Sequence, residues 1–258
     1  GYSVRKYDIH LLEQLNEEYR SKPILSTFIQ YDAESQFKIS EERLHRLSEL
    51  VDLQEKKILE VGCGRGYLSK SLADQYGCSV VGIDISEHVE WQNLRNPPNL
   101  DYLVLDLSER NPFTEESFDL IVSFVAWEHM IHPFTMLKEC CRVLRPEGKI
   151  YIQANLYRSP KASHLYRDIY FPFPHLLFPE EVIAEFCLKH GVSKRWFDEY
   201  YYRNKLTYSQ YKEYFELLNL GIEYEQFHKT KLDMDFYERF KDCLLYTSDA
   251  ADELDGVD

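Results

Sequence analysis

The residues best suited to chemistry begin with one short run, Glu60-Val61-Gly62-Cys63-Gly64-Arg65-Gly66, and continue with Asp84 and Asp106 further along the chain. Glycines in such a run leave room for a ligand and permit backbone torsions that side chains forbid. Their spacing is GxGxG, not the GxGxxG that brings a pyrophosphate to a helix amino end. An acid two positions ahead of the first glycine disfavours a pyrophosphate and suits a ligand carrying an ammonium group. Asp84 stands where a carboxylate accepts both hydroxyls of a ribose, and Asp106 is placed to meet a base edge. Together these residues outline a pocket for a nucleoside without phosphates. A plainer reading makes Asp84 and Asp106 helix caps and the glycines a tight turn.

Such a pocket needs strands that stop where the ligand begins. Ile58-Leu59-Glu60-Val61 is an apolar run opening straight into the glycines, and Leu68, Leu72 and Tyr76 then line one face of a helix ended by Gly77. Further strands are expected at Ser79–Asp84, Leu100–Asp106, Phe118–Phe124 and Lys149–Ala154. Helices are expected at Ser86–Asn96 and Pro133–Leu144, with Arg145-Pro146-Glu147-Gly148 as the turn into the last strand. Ahead of them, Ser40 is the expected cap of a helix carrying Leu44, Leu47, Leu50 and Val51. The alternation predicts a three-layer α/β, Rossmann-like fold with a mostly parallel sheet covered on both faces. After Ala154 prolines and aromatics replace periodicity until helices resume at Pro179–His190 and Thr207–Asn219, with a strand at Ile222–His228. The expected organisation is an N-terminal helical or lid segment (1–39), a core (40–154), an insert after the fifth strand (155–206), completion of the core (207–242) and a tail (243–258). No convincing last strand is evident.

The segments ILEVGCGRGYLS, VVGIDIS, LVLDLSE, FDLIVSFVAWEHMIHP and VLRPEGKIYIQ resemble, in order and spacing, the motifs of class I S-adenosylmethionine-dependent methyltransferases with a type 11-like domain. The resemblance covers about residues 40–154. It implies a seven-stranded sheet with one antiparallel strand and S-adenosylmethionine as cofactor. By the same resemblance Gly62, Gly64 and Gly66 lie against the methionyl part and Glu60 organises its amino end. Asp84 holds the ribose, Ile85 packs on adenine, Asp106 with Leu107 faces its amino edge, and Ser123 with Phe124 floors the pocket. The implied activity is methyl transfer to an oxygen, nitrogen or carbon of a small organic molecule. Two alternatives stand beside it: a non-catalytic module that binds the cofactor, and a nicotinamide-dependent oxidoreductase, disfavoured by the glycine spacing.

A sulfonium methyl is already activated, so a general base is needed only for a protonated acceptor. Glu128 and His129, just past the fourth strand, are the expected pair, with His129 titrating near neutrality; otherwise His129 only hydrogen-bonds the loop backbone. His132, ahead of Pro133, reads as a helix-entry residue. Trp127, His164, Tyr166 and His175 are candidates for the acceptor. The aromatics Phe171, Phe173 and Phe178 read as a small core of the insert, Tyr200-Tyr201-Tyr202 as a strand edge or binding face, and Tyr31 and Phe37 as closing the cofactor pocket.

Composition narrows the partners. The 258 residues carry 44 acidic and 30 basic side chains, a net charge of −14 that argues against nucleic acid or an anionic membrane. Twenty tyrosines and fifteen phenylalanines argue against disorder. Six cysteines without a CxxC pair suit reduced thiols, a cytoplasmic setting and no metal. Apolar runs are too short to span a membrane, and Gly1–Asp8 has no apolar signal core. Residues Cys243–Glu253, CLLYTSDAADE, resemble a translated sequencing adapter, which makes 243–258 an expected artefactual, disordered tail. Without that tail's five acids the charge is nearer −9.

Overall fold

The structure is a computed structural model that describes residues 7–25, 27, 29–194, 197–198 and 204–245. Tyr200-Tyr201-Tyr202 and the tail from residue 246 onward lie outside the described residues. The chain parts into two compact units, Ile29–Ala154 and a second made of Gly1–Phe28 with Asn155–Asp258.

In Ile29–Ala154, helix α2 (Ala33–Leu50; α1, Ile9–Tyr19, belongs to the second unit) precedes the sheet. Its cap is Asp32, whose carboxylate accepts the Ser35 amide, and not Ser40. Ser40 is buried inside the helix and returns its hydroxyl to the Gln36 carbonyl. Serine-acid-acid patterns serve both as caps and as ordinary helix surface, so the pattern at Ser40 hid the true start about two turns earlier. Five strands follow, β1 (Lys57–Val61), β2 (Ser79–Asp84), β3 (Leu100–Val104), β4 (Phe118–Phe124) and β5 (Leu144–Gln153), with helices α3 (Tyr67–Tyr76), α4 (Trp91–Leu94) and α5 (Pro133–Val143) between them.

The strands are parallel in the order β3-β2-β1-β4-β5. Ile58 and Leu59 on central β1 are fully buried on opposite faces, as a sheet covered on both sides requires. The chain runs outward from β1 to β3, then crosses back to β4. Ligands of open parallel sheets bind at such a reversal, outside the strand carboxyl ends.

Three further expectations change in this unit. Helix Ser86–Asn96 shrinks to the single turn of α4, because the Asp84 carboxylate accepts the Ser86 amide and turns the chain before a helix can start. β3 stops at Val104, two residues short of Asp106. The expected turn at Arg145–Gly148 is an irregularity within β5: Phe118 pairs with Leu144, but Leu120 already pairs with Lys149, and Glu147 takes a positive φ of 67°. The described residues form five parallel strands, not seven with one antiparallel.

The second unit is helical. It contains α1 (Ile9–Tyr19), α6 (Pro174–Leu177), α7 (Glu180–Lys189), α8 (Tyr208–Leu217) and α9 (Lys231–Leu245). Its core is aromatic, as expected of Phe171, Phe173 and Phe178: Phe171 stacks on Phe236 at 5.6 Å, and Tyr19 meets Phe236 edge-on at 5.4 Å. The strand expected at Ile222–His228 does not form. Those residues have no regular structure, and Ile222 and Tyr224 are about half exposed, with no neighbouring strand to bury their alternating apolar side chains. Cys243–Leu245 form the last turn of α9, with Leu244 fully buried. No helix among the described residues is long and apolar enough to cross a membrane.

Candidate functional site

The glycine run joins β1 to α3 as a left-handed turn. Gly64 has φ +53°, and a Cβ there would meet nothing within 4 Å, so the side-chain position opens onto free space. Gly66 has φ +94°, and a Cβ there would lie 2.6 Å from the Tyr102 ring. Strain disfavours a side chain at the first, and strain with a clash excludes one at the second. The amides of Gly62 and Cys63 both donate to the Ile83 carbonyl at 2.9 Å, tying the turn to the end of β2.

Glu60 and Asp84 flank this turn. Glu60 is 2% exposed and accepts the Ser69 hydroxyl at 2.7 Å. Burial pushes its pKa up to about 7, against the opposing effects of that hydrogen bond and of the Arg43 charge. Asp84 accepts the Gly64 amide at 2.8 Å through one oxygen and the Ser86 amide at 3.3 Å through the other. Each oxygen keeps a further lone pair for a ligand hydroxyl.

Beyond Asp84, a cleft of 430 Å³ is lined by Ile85, Val104, Leu105, Asp106, Glu109 and Arg110. Ile85 is 73% exposed and Val104 51% exposed, an apolar pair that folding leaves uncovered beside the cleft. Asp106 holds the Ser108 amide at 2.9 Å and its hydroxyl at 2.6 Å, so one oxygen shapes the turn around it. Leu107, Ser123 and Phe124 are buried. Ser123 donates its hydroxyl to the Val61 carbonyl at 2.8 Å and so pins β4 to β1.

At the end of β4, Val125 takes φ +54°, an outlier for a β-branched residue. A 3₁₀ turn, Trp127–His129, follows. Trp127 and Glu128 are buried, and His129 Nε2 lies 3.9 Å from Glu128 Oε1, an electrostatic contact without a hydrogen bond. His132 is the residue before α5, as expected of a helix entry.

Residues 59–152 match the family model described as a methyltransferase domain. They form a methyltransferase domain. The ubiquinone biosynthesis O-methyltransferase of Pseudomonas fluorescens strain Pf0-1 is 32% identical over 140 residues, 51% of this chain and 60% of that relative. The enzyme of the same name from Hahella chejuensis is 34% identical over 140 residues, 51% of this chain and 58% of the relative. The chain thus spans about three fifths of the length of the curated relatives it matches. Among solved structures, phosphoethanolamine N-methyltransferase 2 of Haemonchus contortus, in complex with S-adenosyl-L-methionine, covers 84% of this chain at 19% identity. That match has a TM-score of 0.52 over 46% of the other chain and shows a shared fold.

Within the methyltransferase domain, the structure gathers Glu60, the glycine turn and Asp84 at one crevice, Ile85 and Asp106 at the cleft, and Glu128 with His129 on one turn. Phe37 rests edge-on against Tyr67, the first residue of α3, at 4.8 Å, and Tyr31 lies under the Arg65 guanidinium at 4.4 Å. His164, Tyr166 and His175 belong to the other unit. His164 is buried, with its ring 6.2 Å from that of Tyr166. His175 is buried too, its Nε2 on the Tyr157 carbonyl and its pKa pushed down to about 4 by burial. That places His175, neutral at physiological pH, among the structural contacts of its unit.

Sequence reasoning missed Arg43. It projects from α2 with its guanidinium 5.0 Å above the Phe124 ring, and its charge acts on Glu60. Burial pushes its pKa down, and Glu60 opposes that shift. The signal was present: Arg43 precedes Leu47 and Leu50 by four and seven positions, a cation on the apolar stripe of an amphipathic helix.

Proposed function

We propose that this chain transfers a methyl group from S-adenosylmethionine to an oxygen, nitrogen or carbon of a small organic acceptor. The observation that carries the reading is the pairing of buried Glu60 with Asp84 across a glycine turn whose central Cβ position is open. Two acids at one crevice repel a pyrophosphate and suit a cationic nucleoside. In this reading Glu60 receives the ammonium and Arg43 the carboxylate of the methionyl part, which packs against Gly62, Gly64 and Gly66. Asp84 takes the ribose hydroxyls. Ile85 and Val104 sandwich the adenine, with Asp106 and Leu107 at its amino edge and Ser123 and Phe124 supporting the floor.

The bound cofactor supplies an electrophilic methyl on a sulfonium. The chain's own task is to align the acceptor with the sulfur–methyl bond and to exclude water. Glu128 stands beside His129, and His129 Nε2 takes the proton from a hydroxyl acceptor. Trp127, His164 and Tyr166 are proposed for acceptor recognition. The relatives' name as O-methyltransferases makes hydroxyl-bearing acceptors the first class to assay. The net charge of −14 supports an uncharged or cationic acceptor over nucleic acid, and six free cysteines support a cytoplasmic setting.

Calorimetric titration with S-adenosylmethionine tests the cofactor, and release of S-adenosylhomocysteine across hydroxyl, amine and carbon acceptors tests the reaction. Binding in the wild type that is lost in Gly64→Val is the expected result. Tight binding of a nicotinamide dinucleotide in place of S-adenosylmethionine would overturn the reading.

A further inference from the structure

The glycine turn is held from beneath by two aromatic side chains that lie outside it in sequence. Trp91, on α4, is buried and donates its indole N–H to the Gly64 carbonyl at 2.9 Å. Tyr102, on β3, is buried and donates its hydroxyl to the Gly66 carbonyl at 2.6 Å. The two rings stack on each other, 5.3 Å between centroids and 10° between planes. A side chain on Gly82, beside Tyr102 in the β2–β3 register, would come within 3.0 Å of the Tyr102 ring. Gly66 and Gly82 both lack a side chain where Tyr102 needs room.

The Gly64 residue is therefore gripped at both of its polar atoms. Its amide donates to Asp84 at 2.8 Å and its carbonyl accepts from Trp91 at 2.9 Å. With φ +53° and open space on its side-chain position, Gly64 has besides these a weak contact from the Cys63 thiol, 3.9 Å from its carbonyl. If the indole bond is removed, the Gly64–Arg65 peptide is freer to turn about the Gly64 ψ, and through the unhindered Gly64 Cα the neighbouring Cys63–Gly64 peptide, whose N–H aims the Asp84 carboxylate, loses its restraint.

We propose that Trp91 is a positioning residue for ribose recognition, acting through Gly64 on Asp84, while Tyr102 anchors the far end of the same turn without selecting the sugar. The proposal rests on the reading that Asp84 takes the ribose hydroxyls. It assigns sugar discrimination to a short interaction chain, Trp91 Nε1 to Gly64 to Asp84, whose first member does not touch the ligand.

The test compares S-adenosylhomocysteine with its 2′-deoxy analogue by calorimetry in the wild type, Trp91→Phe, Tyr102→Phe and Asp84→Asn. Phenylalanine at 91 keeps a ring on Tyr102 and deletes the N–H donor. The expected result for Trp91→Phe is a loss of about 2- to 12-fold in affinity for the ribonucleoside, the size of one hydrogen bond. The ratio of ribo to deoxy affinity should shrink toward that of Asp84→Asn. Tyr102→Phe should weaken both ligands by a similar factor and keep the ratio. Because Trp91→Phe also removes packing, benzothienylalanine at 91, which keeps the bicycle and lacks only the N–H, should reproduce the change in ratio with an unchanged Tm. The double variant with Asp84→Asn should add no further loss of discrimination, as coupled neighbours require. If Asp84→Asn abolishes discrimination while both substitutions at 91 preserve the wild-type ratio, the proposal is overturned. If Asp84→Asn itself leaves the ratio unchanged, the ribose reading fails first, a distinguishable result.

Discussion

Buried Glu60 of the sheet unit is held differently from the buried polar groups of the helical unit. In the helical unit such groups are tied to backbone. Asn16 donates to the Asp168 carbonyl at 2.9 Å and accepts the Tyr170 amide at 2.7 Å, Asp233 and Thr230 exchange hydrogen bonds at the start of α9, and His175 meets the Tyr157 carbonyl. In the sheet unit, Glu60 is equally buried, yet Ser69 and the charge of Arg43 do not offset its burial, which raises its pKa. A buried acid held at such a cost lowers stability unless a bound cation repays it. The contrast separates polar groups that build the fold from those kept for a ligand.

The largest expected effect is on the helical side. Phe236 is fully buried among Tyr19, Phe171 and Phe240. Phe236→Ala should cost about 3–5 kcal/mol of stability in denaturant titration. Cofactor affinity measured well below the transition should stay within about twofold, since each twofold is only about 0.4 kcal/mol. Loss of binding by the folded variant would break the division of roles.

Asp84→Ala is the converse case. Removing two charge-assisted contacts to the ribose should weaken cofactor binding by about 2–3 kcal/mol, roughly 30- to 150-fold, with little change in Tm. The same affinity in calorimetry for variant and wild type would show that Asp84 only caps its turn.

How much of this was legible in the sequence follows from the range of each interaction. Glu60, the glycines and the order of β1 to β5 are written locally, in apolar runs that end in turn residues. The cleft residues Ile85 and Asp106 were legible because each closely follows a strand end. Gly82, Trp91 and Tyr102 were not read as a group, because their contact depends on the register of β2 with β3, which no local pattern encodes. Arg43 escaped because its partner Phe124 lies on β4, far away in sequence. Ile222–His228 failed for the opposite reason: its alternation was local and real, but a strand also needs a neighbour.

Glu60 supplies a smaller, pH-dependent effect. Its pKa of about 7 in the fold stands above the ordinary carboxylate value near 4.5, so the native state holds that proton more tightly than the unfolded chain. Its contribution to stability is therefore greatest below the unfolded pKa and falls as pH rises from about 4.5 to about 7. Cofactor affinity runs the other way, because the ammonium requires an ionised Glu60. Below about pH 7 the affinity should fall by up to about tenfold per pH unit. Glu60→Gln should bind weakly with a flat profile over that range, and a wild-type profile equally flat would remove Glu60 from the site.

The smallest effect is expected at Val125, and it separates stored strain from ordinary packing. Val125 and Val122 lie three residues apart at the end of β4, but Val122 is fully buried in regular strand while Val125 is half-buried at φ +54°. For Val122→Gly, lost burial and added backbone freedom act together, and the cost should be about 3–4 kcal/mol. At Val125 the same substitution releases about 1–2 kcal/mol of left-handed strain, which offsets most of the smaller packing and entropy losses. Val125→Gly should therefore unfold within about 1 kcal/mol of the wild type, by the balance of those terms. If the turn that carries Trp127, Glu128 and His129 depends on that strain for its geometry, methyl-transfer rate should fall while stability and cofactor affinity hold. Equal costs for the two glycine variants in denaturant titration would show that no strain is stored there.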